Sequence, residues 1–191
     1  MLLVEMEKRI LLEAEEIDRV LNRMAHEILE KDGEVHELAL IGIRSRGAHL
    51  VQRIAKKVET LVGKSPSVGI VDITPYRDDL AKTETSAAAV ANQLPIAVDE
   101  KTVVLVDDVI YTGRTIRAAL DLLGRVGKPK RILVAILVDR GRRELPIKAD
   151  IIGKNVAIVE LERVNVLLEE SDGVDQVTVT KFYPPFLQRR A

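Results

Sequence analysis

The chain has 191 residues, 47% of them hydrophobic, with a formal net charge of −1 and no cysteine. That length is enough to bury one α/β core, and that apolar content excludes a disordered chain. Near-neutral charge excludes a global field for nucleic acid, so any such binding needs a local patch. The lack of cysteine excludes disulfides and thiolate metal sites and makes a reducing cytoplasm the expected compartment. Residues 1–12 carry Glu5, Glu7, Lys8 and Arg9 among apolar neighbours, unlike a signal peptide, and no apolar run is long enough to span a membrane.

Residues 13–31 predict a helix, with Ile17, Val20, Leu21, Met24 and Ile28 as its apolar stripe and Gly33 as its stop. Asn22 and His26 lie one turn apart off that stripe, on what periodicity alone reads as a solvated face. Leu38 to Ile43 predicts a core strand, followed directly by Arg44-Ser45-Arg46-Gly47 and a helix that turns Val51, Ile54, Ala55, Val58 and Leu61 inward. Two arginines around a serine, between a strand end and a helix start, suit an anion, although arginines at helix starts also occur on plain surfaces. Val68 to Thr74 predicts a further strand. Residues 81–100 then run polar and alanine-rich without a period, which leaves a lid and a surface hairpin equally open.

The most informative stretch is Val103-Val104-Leu105-Val106-Asp107-Asp108-Val109-Ile110-Tyr111-Thr112-Gly113-Arg114-Thr115. The continuous β-branched run predicts a buried parallel strand. Ile116, Ala119, Leu120, Leu123 and Val126 behind it repeat at helical spacing. The intervening loop therefore lies at the carboxyl end of a strand, where open α/β sheets bind ligands. Helix-start amides are unpaired donors at the positive end of the helix dipole and suit a phosphate. Gly113 permits close backbone approach, and Thr112 and Thr115 add hydroxyls. Asp107 and Asp108 would repel a phosphate unless they meet sugar hydroxyls or a hydrated Mg²⁺. The other reading of these residues is an ordinary βα turn with a threonine cap.

Gly127-Lys128-Pro129-Lys130-Arg131 predicts a basic turn, and Ile132 to Val138 another continuous apolar strand ending in the polar segment 139–155. Strands 38–43, 103–106 and 132–138 should thus all deliver polar loops to one sheet edge. Val164 to Leu168 and Val177 to Thr180, separated by Ser171-Asp172-Gly173, predict a hairpin-like ending. Pro184-Pro185 ends regular structure. Neither repeats nor linkers interrupt the chain, so one domain, residues 1–191, is expected.

The strand, the Asp107-Asp108 pair and the Thr112-Gly113-Arg114-Thr115 loop resemble the phosphoribosyl pyrophosphate (PRPP) signature of type I phosphoribosyltransferases. The resemblance implies a mainly parallel sheet flanked by helices, with a small hood. In it Asp107 and Asp108 hold the ribose hydroxyls, and Mg²⁺ mostly through PRPP and water. Residues 112–115, with Arg114, hold the 5′-phosphate, Val109 and Tyr111 belong to the same PRPP- and nucleotide-binding stretch, residues 44–47 hold pyrophosphate, and Arg77 is the basic residue of a closing loop. It also extends further, through Ala25-His26-Glu27, Ile43 to Gly47, Asp72 to Leu80, Leu137 to Asp150 and Gly153-Lys154-Asn155, to the PyrR family of pyrimidine operon attenuation regulators.

That closer resemblance implies uracil phosphoribosyltransferase activity, converting uracil and PRPP to UMP and pyrophosphate. It also implies UMP- or UTP-dependent binding to pyr leader mRNA, and a dimer or tetramer of the chain. Val138, Asp139 and Arg140 would lie beside the base, under a hood built from about 156–180 and the tail 181–191. The implied RNA surface is Asn22, His26, Lys31, Arg143, Lys148 and Lys154, two groups distant in sequence that would have to meet. The chain departs from the family pattern at Val156 to Val159, where Pro-Thr-Ser is usual, at Arg142, where a histidine is common, and at Pro75. A transferase for another base, a regulator that only senses nucleotide, and an acidic receiver-like domain are the competing readings, and the last leaves the Thr-Gly-Arg-Thr loop without a role.

Overall fold

The computed structural model describes residues 4–31, 35–73, 94, 96–159 and 161–183. Its central element is a five-stranded parallel sheet. Strands β2 (Leu38–Ile43), β3 (Ser67–Val71), β4 (Thr102–Ile110), β5 (Arg131–Asp139) and β6 (Ile151–Asn155) lie in the order β3-β2-β4-β5-β6. The apolar runs read from sequence at 38–43, 103–106 and 132–138 are the cores of β2, β4 and β5.

The continuous apolar runs are explained by helices on both faces. Leu38, Leu40, Val104, Val106, Leu133, Ala135 and Leu137 pack against α1 (Ala14–Lys31) and α2 (Arg46–Val62). The alternate residues Ala39, Ile41, Ile43, Val103, Leu105, Val134 and Ile136 pack against α3 (Arg114–Val126) on the opposite side. Most of these side chains are fully buried. Each fully buried aliphatic side chain contributes about 1.5–3 kcal/mol, so the sheet is a rigid platform for the loops at its edge.

A second, three-stranded antiparallel sheet has the order β1-β8-β7, from β1 (Val4–Glu13), β7 (Glu162–Leu167) and β8 (Gln176–Tyr183). β7 and β8 form the hairpin-like ending read from sequence, joined through a helical turn, Glu169–Asp172. Strand β1 was not foreseen. Its sequence alternates only loosely, and its register with β8 is broken twice by irregularities. Gly33 and residues 184–191 lie outside the described residues, as does the polar stretch of residues 74–93 with Arg77 and Pro75. No helix among the described residues is long and apolar enough to cross a membrane.

Candidate active site

Register builds the site. Gly42 of β2 pairs with Val106 of β4, and Ile110 of β4 pairs with Asp139 of β5. The loop after β2, residues 107–110 and the loop after β5 therefore share one edge, as the three sequence runs predicted. Glycine closes the gap between the first two. A Cβ on Gly47 would stand 2.5 Å from the Val106 carbonyl oxygen and 3.3 Å from Asp107 Cα. A Cβ on Gly42 would collide with the Gly47 carbonyl. Only glycine at these places lets the start of α2 lie directly on the end of β4.

Both helices that begin at this edge start without a side-chain cap. Ser45 precedes α2 and Gly113 precedes α3, and neither makes a capping bond from its side chain. The Arg114 amide donates weakly to Thr112 Oγ1 at 3.4 Å and the Ala48 amide to the Ser45 carbonyl at 3.2 Å, and the remaining first-turn amides suit an anion. The Arg44–Ser45 peptide is cis. Gly113 has φ of 93°, a left-handed conformation that favours glycine, and it packs against Leu145 and Ile147. The Thr112 carbonyl accepts the amides of Glu144 and Leu145, each at 3.0 Å. The loop after β5 thus supports the phosphate-type loop from behind.

Between the two helix starts lie Asp107, buried, and Asp108, half-buried. Asp107 Oδ1 accepts the Asp108 amide at 2.9 Å, and Asp108 Oδ1 accepts the Val109 amide at 2.8 Å. Burial pushes the Asp107 carboxyl well above the usual range, and the adjacent Asp108 charge adds to this. Burial also raises Asp108, while hydrogen bonds and the Arg46 charge pull it back. Two crowded acids with raised pKa values are poised to accept hydroxyl donors or face a cation. No cluster of three or more His, Asp or Glu side chains among the described residues forms a metal cage. Two adjacent carboxylates fit an ion that brings most of its oxygen ligands with it.

The other residues singled out from sequence divide into groups. Arg44 lies 3.8 Å from Asp72, exposed, and Arg46 is bonded to Asp172 at 3.0 Å. Arg114 turns away to Glu144 at 2.7 Å. Val138 is fully buried in the core, so only its backbone faces the edge. Arg140 stacks on the Tyr111 ring, 4.0 Å from its centroid, and donates to the Glu162 carbonyl at 3.2 Å.

Arg143 is committed within the chain. Its guanidinium donates to Asp139 Oδ2 at 2.6 Å and to the carbonyls of Ile147 at 2.9 Å and Tyr111 at 3.0 Å. Asp139, Gly141, Arg143, Ile147, Lys148 and Asn155 line a cavity of about 430 Å³.

Asn22, His26, Lys31 and Lys148 are exposed. Lys154 Nζ donates to the Leu11 carbonyl at 3.2 Å. Of the six residues of the implied RNA surface, only Lys154 lines a cavity against α1, whereas Arg143 and Lys148 line the separate cavity beside Asp139. Arg19 and Arg23 of α1 line a cavity of about 450 Å³ together with Lys154 of β6. Arg23 fastens the two elements, donating to the carbonyls of Ile152 at 3.0 Å and Gly153 at 2.7 Å. Sequence reasoning missed Arg23, because its visible partner was Glu27 one turn away. It also missed Arg53, which pairs with Glu170 and Asp175, and Asp172, which pairs with Arg46, because both pairings join segments more than 110 residues apart.

A parallel sheet with a buried aspartate pair between two uncapped helix starts is the arrangement of a type I phosphoribosyltransferase. Solved structures agree on the fold. A hypoxanthine phosphoribosyltransferase from Staphylococcus aureus superposes with a TM-score of 0.66 at 20% identity, covering 94% of each chain. The hypoxanthine phosphoribosyltransferase of Trypanosoma cruzi gives 0.67 at 17% identity, covering 91% of this chain and 96% of that one. The phosphoribosyl transferase domain pattern matches residues 9–166. Bifunctional protein PyrR of Chloroflexus aurantiacus is 51% identical over 92% of this chain and 96% of its own. Bifunctional protein PyrR of Elusimicrobium minutum is 48% identical over 90% and 96%. The chain belongs to the phosphoribosyl transferase family and, within it, to the bifunctional PyrR proteins.

Proposed function

We propose that this protein transfers the phosphoribosyl group of PRPP to uracil, giving UMP and pyrophosphate, and that with a uridine nucleotide bound it attaches to pyr leader mRNA. The observation that carries the enzymatic reading is the Asp107–Asp108 pair, one buried and one half-buried, between two helix N-termini without a side-chain cap. One ligand with a sugar diol flanked by a monophosphate and a diphosphate satisfies all three features.

The α3 start, with Thr112, Gly113 and Thr115, takes the 5-phosphate. The α2 start, with Arg44, Ser45, Arg46 and Gly47, takes the diphosphate. Asp107 and Asp108 accept from the ribose hydroxyls and stabilise positive charge developing on the sugar ring. Arg77, outside the described residues, is assigned to the diphosphate by the family resemblance. Asp107 and Asp108 would face a Mg²⁺ ion held mostly by PRPP and water, and such an ion would supply charge neutralisation at the leaving group. The protein's share of the catalysis is orientation and electrostatic stabilisation rather than covalent chemistry. The backbone at Val138, with Asp139 and Arg140, borders the base, beneath a hood formed from β7, β8 and β1.

The RNA face combines α1, through Asn22, His26 and Lys31, with Lys148 and Lys154. Arg143 serves it from behind, because its guanidinium is already engaged. We place the protein in the cytoplasm as a homo-oligomer, a dimer or tetramer, of single-domain chains. Incubation with PRPP, Mg²⁺ and uracil, hypoxanthine, guanine, adenine or orotate tests the reading. UMP from uracil alone is expected, and turnover of a purine instead would reassign the base site. Filter binding of pyr leader RNA with and without UMP tests the second activity, with affinity falling steeply as salt rises.

A further inference from the structure

Arg46 and Arg53 stand two turns apart on α2, and both reach the connection between β7 and β8. Arg53 donates to Glu170 at 2.9 and 2.6 Å and to Asp175 at 2.6 and 2.7 Å. This fastens the acidic turn to the helix. Arg46 Nη2 donates to Asp172 Oδ1 at 3.0 Å. Asp172 is itself fixed, since its Oδ2 accepts the Leu168 amide at 2.9 Å and Leu168 is buried in the core. On its other side the Arg46 charge acts on Asp108. Arg46 Nε is buried and has no acceptor among the described residues. The guanidinium is therefore held by one partner, beside the aspartate pair and at the uncapped start of α2, with a donor left over.

We propose that Asp172 is a positioning residue for the diphosphate subsite, holding the Arg46 guanidinium at the α2 start so that its unbonded donors serve the leaving pyrophosphate. The inference rests on the phosphoribosyltransferase reading and deepens it. A free arginine samples many rotamers, and confining it before the ligand arrives removes that cost from binding. The hood connection, remote in sequence from the 44–47 loop, then contributes to the first binding step.

The test is Asp172→Asn, which preserves shape and an acceptor for the Leu168 amide but no longer pairs with a cation. Calorimetric titration with Mg²⁺-pyrophosphate reads binding without turnover, and steady-state kinetics read PRPP and uracil separately. Expected is a roughly tenfold weaker pyrophosphate affinity and a matching rise in KM for PRPP, with KM for uracil unchanged and partial recovery in Asp172→Glu. Glu170→Gln loosens the same turn without touching Arg46 and should leave pyrophosphate affinity alone. In an Arg46→Met background, which removes the cation, Asp172→Asn should cost nothing further, because the pair acts as one unit.

Equal losses in the Asp172 and Glu170 variants would overturn the proposal in favour of simple docking of the turn. Unchanged or tighter pyrophosphate binding in Asp172→Asn would overturn it outright. A wild-type protein that binds no pyrophosphate at all would instead refute the underlying transferase reading.

Discussion

Asp107→Asn should make the protein more stable and less active at once. Asp107 is 6% exposed, and burial together with the neighbouring Asp108 charge raises its carboxyl well above the ordinary range. A group whose pKa is raised by folding contributes stability that is present below the unfolded value and lost as pH rises through the folded one. Above that window the free protein carries a poorly solvated charge beside a second carboxylate. Asparagine removes the charge and retains Oδ1 as acceptor for the Asp108 amide, bonded at 2.9 Å.

Relief of a buried, incompletely paired charge is worth about 1–3 kcal/mol, which for a chain of this size raises Tm by about 2–10 °C. Activity should move the other way. Two charge-assisted bonds to the ribose become neutral ones, a loss of about 1–2 kcal/mol each, so kcat/KM for PRPP falls about 30- to 1000-fold. Adding Asp108→Asn should abolish turnover with the fold intact. Differential scanning calorimetry at pH 5 and pH 8, paired with initial rates, provides the check. A variant that is less stable and equally active would refute the reasoning, because the pair would then be a structural element rather than a functional site held at a cost in stability.

Gly47→Ala should cost about 1–3 kcal/mol by overpacking, because its Cβ would stand 2.5 Å from the Val106 carbonyl. Thermal melting and a raised KM for PRPP would register the separation of the two loops. Arg53→Ala should destabilise the protein by about 1.5–3 kcal/mol through loss of its charged hydrogen bonds, read as a lowered Tm. Arg53 holds Glu170 and Asp175 below the usual carboxylate range, and such depressed groups stabilise above their unfolded values, roughly pH 4. That contribution is lost on acidification, so Arg53→Ala should also flatten the acid limb of the stability curve. His26→Ala on the exposed face of α1 should weaken pyr RNA binding while uracil turnover stays at the wild-type rate, and an RNA affinity that does not change would remove α1 from the interface.

The sequence by itself determined the core strands and helices and marked one candidate site, because those signals are local. Continuous β-branched runs marked β2, β4 and β5, since strands covered on both faces have no polar side to alternate with. The 3.6-residue stripe from Ile17 to Ile28 marked α1 within a residue of its observed start. Asp107-Asp108 followed by Thr112-Gly113-Arg114-Thr115 announced an anion loop and a diol acceptor, since backbone freedom, hydroxyls and carboxylates are properties of the residues themselves. The tertiary structure alone decided which distant groups meet. Strand β1 was invisible because its loose alternation has meaning only against β8, more than 160 residues away. Nothing local to Arg46 or Arg53 pointed to the acids of the β7–β8 connection that they meet, and nothing local to Arg23 pointed to the Ile152 and Gly153 carbonyls that it reaches. A guanidinium on four rotatable bonds takes the oxygen that the fold brings within about 3 Å. For Arg46 that oxygen comes from Asp172, 126 positions along the chain, and only sheet order and helix packing could bring the two together.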